Sequence, residues 1–487
     1  MFTGAFDMVM FQALLPVILL LVLGLVVLVY DLLTSVSQKR GLGWLTAGGL
    51  VAVIAISLIW GSPGDNPQSL WGGMLRFDKL GFIFQMLFVF GAAITCLFAM
   101  DVEYLGKRGE FYLLLLASTI GMSLMASAGD LIMLYLAIET TSIPLYVLAG
   151  FMKNDEKSTE SGFKYLLFGA LTSTIMLYGF SLLYGFAGST NFTKLSEMFV
   201  SGQVNLAPLV GAIVLVLIGF SFKISIVPFH FWAPDVYEGA PTPVAGFLST
   251  ASKAAGFSVL LRVLLTAFPS DAQPTWVLLL SILSVVTMTL GNSLALAQKN
   301  IKRMLAYSSI AHAGYLLIGV VAVPTVLGVI GTIFYLVAYV VTNLAAFGVV
   351  FIFWRVAGSD EISAYAGLSR RAPALALAML VALLSLAGMP PLGGFVAKLF
   401  VFAAAVKAGM VWLAFVGVLN SIIGLYYYLT VLKVVYLYRS EEEEAKPLPL
   451  TRPSLLALVV LIIGIIFIGT LFAPWFNMTT TAAMTLF

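Results

Sequence analysis

Charge, histidine and cysteine are all scarce in this sequence. Charged residues make up 10% of its 487 positions, where a soluble chain carries about 25%. No long polar linker divides the chain, although a soluble chain of this length splits into two or three domains. The single cysteine, Cys96, rules out a disulfide within the chain and clusters of cysteine-held iron–sulfur or zinc. Two histidines, His230 and His312, are too few for a histidine-built metal site. A net charge of +3, thinly spread, offers no basic surface for nucleic acid.

Apolar residues fill the space. They account for 61% of the chain, with a mean hydropathy of +1.06. They recur in stretches of about 20 residues, the length that crosses a bilayer core. The expected class is an all-α polytopic membrane protein. Fourteen spans are expected, near 11–33, 43–60, 79–100, 111–127, 130–150, 162–186, 207–226, 243–268, 276–297, 303–322, 326–354, 373–405 (broken), 411–437 and 454–475. The first has no basic stretch before it and is too long for a signal segment, so it is expected to stay as a span.

Loop charges alternate with this count. Lys39, Arg40, Lys107, Arg108, Lys153, Lys157, Lys299, Lys302, Arg303, Arg355, Arg370, Arg371, Arg439, Lys446 and Arg452 all fall on one side, 15 of the 25 basic residues. Arg76, Lys79, Lys194 and Lys407 fall on the other, with Arg262 near a span end. The excess of Lys and Arg marks the cytoplasmic side. Both termini are then expected on the outer side of a bacterial inner membrane. The acidic run Glu441–Glu444 suits a solvated loop.

Two spans are interrupted. Span 7 meets Pro228 with Lys223 beside it, and span 12 meets Pro390-Pro391 with Lys398 beyond. Five spans separate the breaks. Interrupted helices in matching halves mark the site of an inverted-repeat transporter. Spans 4–8 and 9–13 would be the two five-helix repeats. The expected division is 1–105 (three leading helices), 106–270, 271–440, and 441–487 (acidic loop and last helix).

Ionisable residues inside spans are Glu139, Lys164, Lys223, Lys253, His312 and Lys398. Each central charge costs at least about 2.5–3.5 kcal/mol on insertion scales, so stability alone does not keep four lysines and a glutamate. Lys164 lies near a membrane edge, where it could snorkel. His312, among small residues, could simply bond a neighbouring helix. His230 sits in the broken-helix loop, where packing is as good a reason as proton transfer. Glu139 is the most central and needs a cationic partner, which the residues alone do not choose among the lysines. Burial disfavours a charged amine and a nearby carboxylate favours it, so moving a partner switches a buried lysine. A lateral row of such groups can store and pass protons. Ser221, Ser225, Ser249, Thr250 and Ser252 could line the route, though hydroxyls are also common at plain helix contacts.

Other motif matches fail. Ser161-Gly-Phe-Lys164 lacks the partner motifs of a serine acylase, and GLG at Gly41 lacks the strand–loop–helix of a nucleotide site. No residues suit NADH, flavin, haem or iron–sulfur binding, so any linked redox chemistry would belong to partner chains.

The stretches GFSFKISIVPFHFWAPDVYEGAPTPV from Gly219, ASKAAGF, QKNIKRMLAYSSIAHAGYLLIG and SLAGMPPLGGFVAKLF resemble the antiporter-like, proton-translocating membrane subunits of respiratory complex I. The resemblance covers roughly 75–435. Within that family the forms DVYEGAPTPV and GLYYYLTVLKVVYLY look like the N branch (NADH-quinone oxidoreductase subunit N), which in bacteria has fourteen spans. Lys398 stands where the M branch has glutamate, and the end at Phe487 leaves no room for the lateral helix of the L branch. The resemblance implies that Glu139 pairs with Lys223 and that Lys164 modulates the pair. It also implies that Lys253 connects the halves, that Lys398 serves the far half-channel and, less directly, that His312 lies on a polar axis between them. It further implies neighbouring membrane-arm subunits as partners, a lipid bilayer around the chain, protons and water as cargo, and NADH, FMN, iron–sulfur clusters and quinone in partner subunits. Alternatives are a subunit of a cation/proton antiporter complex, a ferredoxin- or F420-dependent relative, or an inert membrane scaffold, which four buried lysines disfavour.

Overall fold

Hydrocarbon supplies no hydrogen bonds to the backbone, so an apolar stretch that enters it must pair its own amides, and the helix is the form that does. The computed structural model describes residues 7–35, 39, 41–201, 205–268, 272–323, 325–439 and 448–487. The acidic run Glu441–Glu444, Arg40 and Lys446 lie outside the described residues.

Three helices lead: α1 (Met8–Leu33), α2 (Gly41–Trp60) and α3 (Lys79–Ala99). The first repeat follows as α4 (Gly109–Ser127), α5 (Leu131–Ala149), α6 (Glu156–Ala187), the short α7 (Phe192–Val200), the half-helices α8 (Leu206–Ile224) and α9 (Trp232–Gly239), and α10 (Thr242–Thr266). The second comprises α11 (Gln273–Leu296), α12 (Ile301–Val321), α13 (Val326–Ala357), the half-helices α14 (Pro373–Ala387) and α15 (Gly393–Lys407), and α16 (Val411–Leu437). Then come α17 (Arg452–Thr470) and α18 (Phe472–Met484). Thirteen described helices are long and apolar enough to cross a membrane; α14 with α15 supplies the broken fourteenth. The chain is a multi-pass membrane protein. One departure from pure helix is a two-stranded antiparallel hairpin before α3, β1 (Gln68–Leu70) with β2 (Leu75–Phe77), Ser69 opposite Arg76. Its strands are three residues each, too short to show in the sequence as an alternating pattern.

The two repeats share one frame. Asp130 caps α5 and Asn300 caps α12, each accepting from two amides of the first turn. Asp130 bridges Asn191, and Asn300 bridges Glu361. Both α6 and α13 run 32 residues and end on a left-handed glycine, Gly188 and Gly358. The offset is 170 residues at each pair (300 − 130, 361 − 191 and 358 − 188). At the breaks it is 163 (388 − 225), with Ser225 and Gly388 both left-handed and cis peptides at Val227-Pro228 and Pro390-Pro391. In this register Lys223 and Lys398 are not equivalent. Lys223 closes the half-helix before its break, and Lys398 lies in the half-helix after its own.

The core is centred on α13, fully buried along its hydrophobic length and packed on α3, α10, α12, α14, α15, α17 and α18. One turn of α10, Leu248–Ser252, is π rather than α. Such single-turn bulges cluster at functional sites.

The leading helices are tied to the first repeat by charge. Arg262 of α10, 1% exposed, reaches Asp78 with both terminal nitrogens, at 2.6 and 2.8 Å, and gives its Nε to the Ala126 carbonyl ending α4 at 2.9 Å. Asp78 also caps α3 through Gly81 N and meets Arg76 Nε at 3.2 Å. At the opposite face Asp101 accepts from Thr451 and Ser454 at the start of α17 and from Arg355 of α13.

Candidate functional site

The buried charges fall into a row with two parts. In the first repeat, Glu139 and Ser142 are one turn apart on α5. Glu139 accepts from Ser173 of α6, and Ser142 accepts from Lys223 Nζ at 2.9 Å. Glu139 and Lys223 line one small cavity of about 20 Å³, room for about one water. They share that cavity without a direct ion pair, so the expected Glu139–Lys223 pair is a cross-cavity arrangement. Lys223 sits where α8 runs out of intrahelical partners, and Trp232 Nε1 takes up the Phe222 carbonyl at 3.1 Å.

Lys253 begins the α-helical part of α10 directly after the π turn. Its ammonium donates to Ser309 of α12 twice, to the carbonyl at 2.7 Å and the hydroxyl at 2.6 Å. The buried hydroxyls of Ser225, in the break after Lys223, and of Tyr237 have no hydrogen-bond partner among the described residues. Lys223 bonds Ser142 and Lys253 bonds Ser309, so a proton crossing from one to the other needs a water or a side-chain movement.

From Ser309 the row continues along α12 at intervals of three residues, Ser309, His312 and Tyr315, which share a face. His312 Nδ1 meets Tyr335 Oη at 2.8 Å, and Nε2 meets Tyr428 Oη at 3.2 Å, which itself bonds Ser308. Tyr339 packs on the imidazole and accepts from Asn343, which also reaches Ser249 on the π turn. Lys398 Nζ stands over the Tyr315 ring, 4.9 Å from its centre, and donates to the Ala387 carbonyl at 2.9 Å. That carbonyl ends α14, so the lysine occupies the negative end of a half-helix. Among the described residues no carboxylate is within ion-pair distance of Lys223, Lys253 or Lys398. Removed from water and held by neutral groups, each amine is poised to change charge when its surroundings change.

Gly388 makes room for this arrangement. Its φ is +88°, and a Cβ there would meet Lys398 Cδ at 2.9 Å. Gly388→Ala is therefore expected to displace the Lys398 amine and to strain the break by about 1–2 kcal/mol. Lower coupled proton transport by an otherwise assembled protein would show it; unchanged transport would refute the placement.

Lys164 is elsewhere. It pairs with Glu160 at 2.6 Å and Asp235 at 2.5 Å, one third exposed, in a network at the loop end of α9. Arg303 joins Asp235 and Glu238, Lys157 joins Glu238, and Lys302 joins Asp360. Burial alone would raise Asp235 and Glu238, but Lys164 with Arg303, and Lys157 with Arg303, hold both below the usual carboxylate range. Their support for α9 is thus complete above the free carboxylate range and is lost as pH falls through their lowered values. Lys164 is paired with Glu160 and Asp235 and has no ion pair with Glu139. His230 is buried against Phe231 in the break and stands outside the row. Of the proposed serines and threonines, Ser249 joins the row through Asn343, while Ser221 and Thr250 bond back to carbonyls four residues earlier.

Sequence reasoning missed the tyrosines 315, 335, 339 and 428, since tyrosine in a span reads first as packing. The signal available was the spacing of three between Ser309, His312 and Tyr315.

The NADH:quinone oxidoreductase/Mrp antiporter transmembrane family matches residues 128–424. The chain is 43% identical to NADH-quinone oxidoreductase subunit N of Moorella thermoacetica, over 96% of this chain and 98% of that protein. It is similar to a chain of respiratory complex I from Thermus thermophilus, with a TM-score of 0.79, 33% identity, and 95% and 98% of the two chains covered. It also shares its fold with a chain of the Mrp complex from Dietzia sp., at a TM-score of 0.85 and 22% identity, over 98% of this chain and 97% of that one. With its two broken helices and its row of buried lysines, the chain belongs to the NADH:quinone oxidoreductase/Mrp antiporter membrane family and, within it, to the subunit N group of NADH-quinone oxidoreductases.

Proposed function

We propose that protons move through this chain along Glu139, Lys223, Lys253, Ser309, His312, Tyr315 and Lys398. The chain is a proton-translocating membrane subunit of NADH:quinone oxidoreductase, and its part in the catalysed reaction is translocation. NADH, FMN, the iron–sulfur clusters and quinone are held by partner subunits in this reading. Neighbouring antiporter-like and small membrane subunits flank it in the membrane arm, and the termini face the outer side of a bacterial inner membrane.

The observation that carries the proposal is that Ser309, His312 and Tyr315 share one face of α12, with Lys253 bonded to Ser309 at one end and Lys398 over the Tyr315 ring at the other; they are not hydrogen-bonded to one another, so water completes the relay in this reading. Amine, hydroxyl and imidazole groups both donate and accept, and an intramembrane series of them is what a proton relay requires. Redox energy released in partner subunits moves the groups around Lys223. A change in its charge alters the field at Lys253, and the α12 stripe passes that change to Lys398.

Lys253→Ala in the intact complex tests the path. Redox-linked proton translocation is expected to fall by at least about tenfold, in the range lost when a proton-transfer group is removed, while NADH oxidation by an artificial acceptor continues. Full translocation would remove Lys253 from the path. Co-purification with NADH- and flavin-binding subunits is expected. Sodium-coupled pH tolerance without quinone reductase activity would favour the antiporter-complex reading instead.

A further inference from the structure

We propose that Asn343 of α13 is a positioning residue of the proton relay: its one amide ties the turn that aims Lys253 to the tyrosine that covers His312. This rests on the path proposed above and adds to it a residue that carries no proton itself.

Asn343 stands out against its helix. It sits mid-way along α13, whose hydrophobic length is fully buried, and is itself 0% exposed. Its Oδ1 has no hydrogen-bond partner among the described residues. A buried amide is unfavourable in such a setting, and more so with an acceptor left unpaired. Stability alone does not keep an asparagine there.

Its nitrogen is fully used. Nδ2 carries two hydrogens, and it donates to Ser249 Oγ at 2.9 Å and to Tyr339 Oη at 3.1 Å. Each bond ends beside a different relay group. Ser249 belongs to the π turn Leu248–Ser252, and Lys253 follows that turn directly. Ser249 in turn donates to the Gly246 carbonyl at 2.9 Å, so its hydroxyl is held from both sides. Tyr339 lies on the His312 imidazole, with ring centres 5.1 Å apart and planes at 36°. Tyr335, whose hydroxyl meets His312 Nδ1 at 2.8 Å, Tyr339 and Asn343 step by four along α13 and share a face.

The backbones are set for this contact. One turn before Ser249, Gly246 brings α10 against α13: a Cβ there would meet Phe347 Cβ at 3.3 Å. Phe347 is one turn beyond Asn343. The two helices thus run close where the amide crosses between them.

The consequence falls on Lys253 first. The π form is rare and needs contacts that favour it over α, and the Ser249 bond is one of them. Ser309 receives the Lys253 amine at 2.6 and 2.7 Å; Asn343 holds the turn that delivers it. Because the same amide holds Tyr339, a shift of the π turn also reaches the ring on His312. Lys253 and His312, which share no bond, are coupled through one side chain.

Asn343→Leu in the intact complex, reconstituted in vesicles, separates this role from a plain helix contact, for which asparagine also serves. The expected result is redox-linked proton uptake lowered by about tenfold, in the range lost when a supporting contact is removed, with assembly and thermal melting as in the wild type. Ser249→Ala should lose part of the same activity, and Ser249→Thr should retain it by keeping the hydroxyl. The double variant Asn343→Leu/Ser249→Ala should be no lower than Asn343→Leu alone, since both remove one bond. Lowered melting with full proton uptake would make Asn343 a packing residue and overturn the proposal. If Asn343→Leu does not assemble, Ser249→Ala and Ser249→Thr decide, and equal uptake in the two overturns it. Lys253→Ala runs beside these variants. If it loses uptake while Asn343→Leu keeps it, the positioning role fails and the path stands; if both keep it, the path fails as well.

Discussion

Replacing Lys223 with alanine should leave a complex that assembles and oxidises NADH but translocates protons at least about tenfold more slowly, as expected when a proton-transfer group is deleted. The two halves of this expectation have separate causes. Lys223 is 5% exposed and, among the described residues, hydrogen-bonds Ser142 alone, with Glu139 across a one-water cavity. A central lysine opposes insertion by about 2.5–3.5 kcal/mol, so its removal takes away a cost. The loss of one hydrogen bond gives back roughly 1 kcal/mol. Assembly survives on balance. The function does not, because Glu139 then has no ammonium across the cavity to respond to. Glu139→Gln should act in the same direction, keeping the Ser173 contact while removing the charge. Proton uptake by reconstituted vesicles reads both; full uptake in either variant, with normal NADH oxidation, would show that protons take another path.

Arg262→Ala is expected to do the reverse and cost structure. The guanidinium is held by both Asp78 oxygens and the Ala126 carbonyl, and all of these groups are buried. Removing one partner of such a pair costs about 3–5 kcal/mol, because the other charge stays buried. Arg76 at 3.2 Å and the Gly81 amide still serve Asp78, which places the loss toward the lower figure. Three elements meet at this point, the starts of α3 and the ends of α4 and α10, so the leading helices should loosen from the first repeat. Thermal unfolding of the purified complex should shift down, and the double variant Asp78→Asn/Arg262→Met should recover part of the loss. Equal melting of Arg262→Ala and wild type would mean that the clamp contributes nothing.

The residues that stand out in the sequence are charges inside apolar runs; Lys223, Lys253 and Lys398 are buried, and Glu139 is half-buried at the cavity it shares with Lys223. Their contrast with the surroundings makes them visible without any knowledge of pairing. The partners were harder. Ser142, Ser309 and the tyrosines around His312 are ordinary residues in a span, and only the folded helices bring them to the charges. Asp78 and Arg262 are 184 positions apart, and Asp78 precedes a span, where it reads as a loop residue. Lys164 is expected near a membrane edge from its position in the span, and the structure holds it, one third exposed, between Glu160 and Asp235. The spans were visible because hydrocarbon permits so few alternatives. The common frame of the two repeats was not, because it lies in caps and bridges such as Asp130–Asn191 and Asn300–Glu361, and the offset shortens before the breaks.

The π turn at Leu248–Ser252 has a consequence of phase. A π turn holds one residue more than an α turn, and one residue on an α-helix is a rotation of about 100°. Everything in α10 beyond Ser252 is therefore indexed by that extra residue. Without it Lys253 would swing away from Ser309, and Arg262, two and a half turns later, would swing away from Asp78 by the same angle. A single inserted residue thus sets the azimuth of both the relay lysine and the structural arginine, and α10 works as a keyed shaft that cannot be re-registered for one without losing the other.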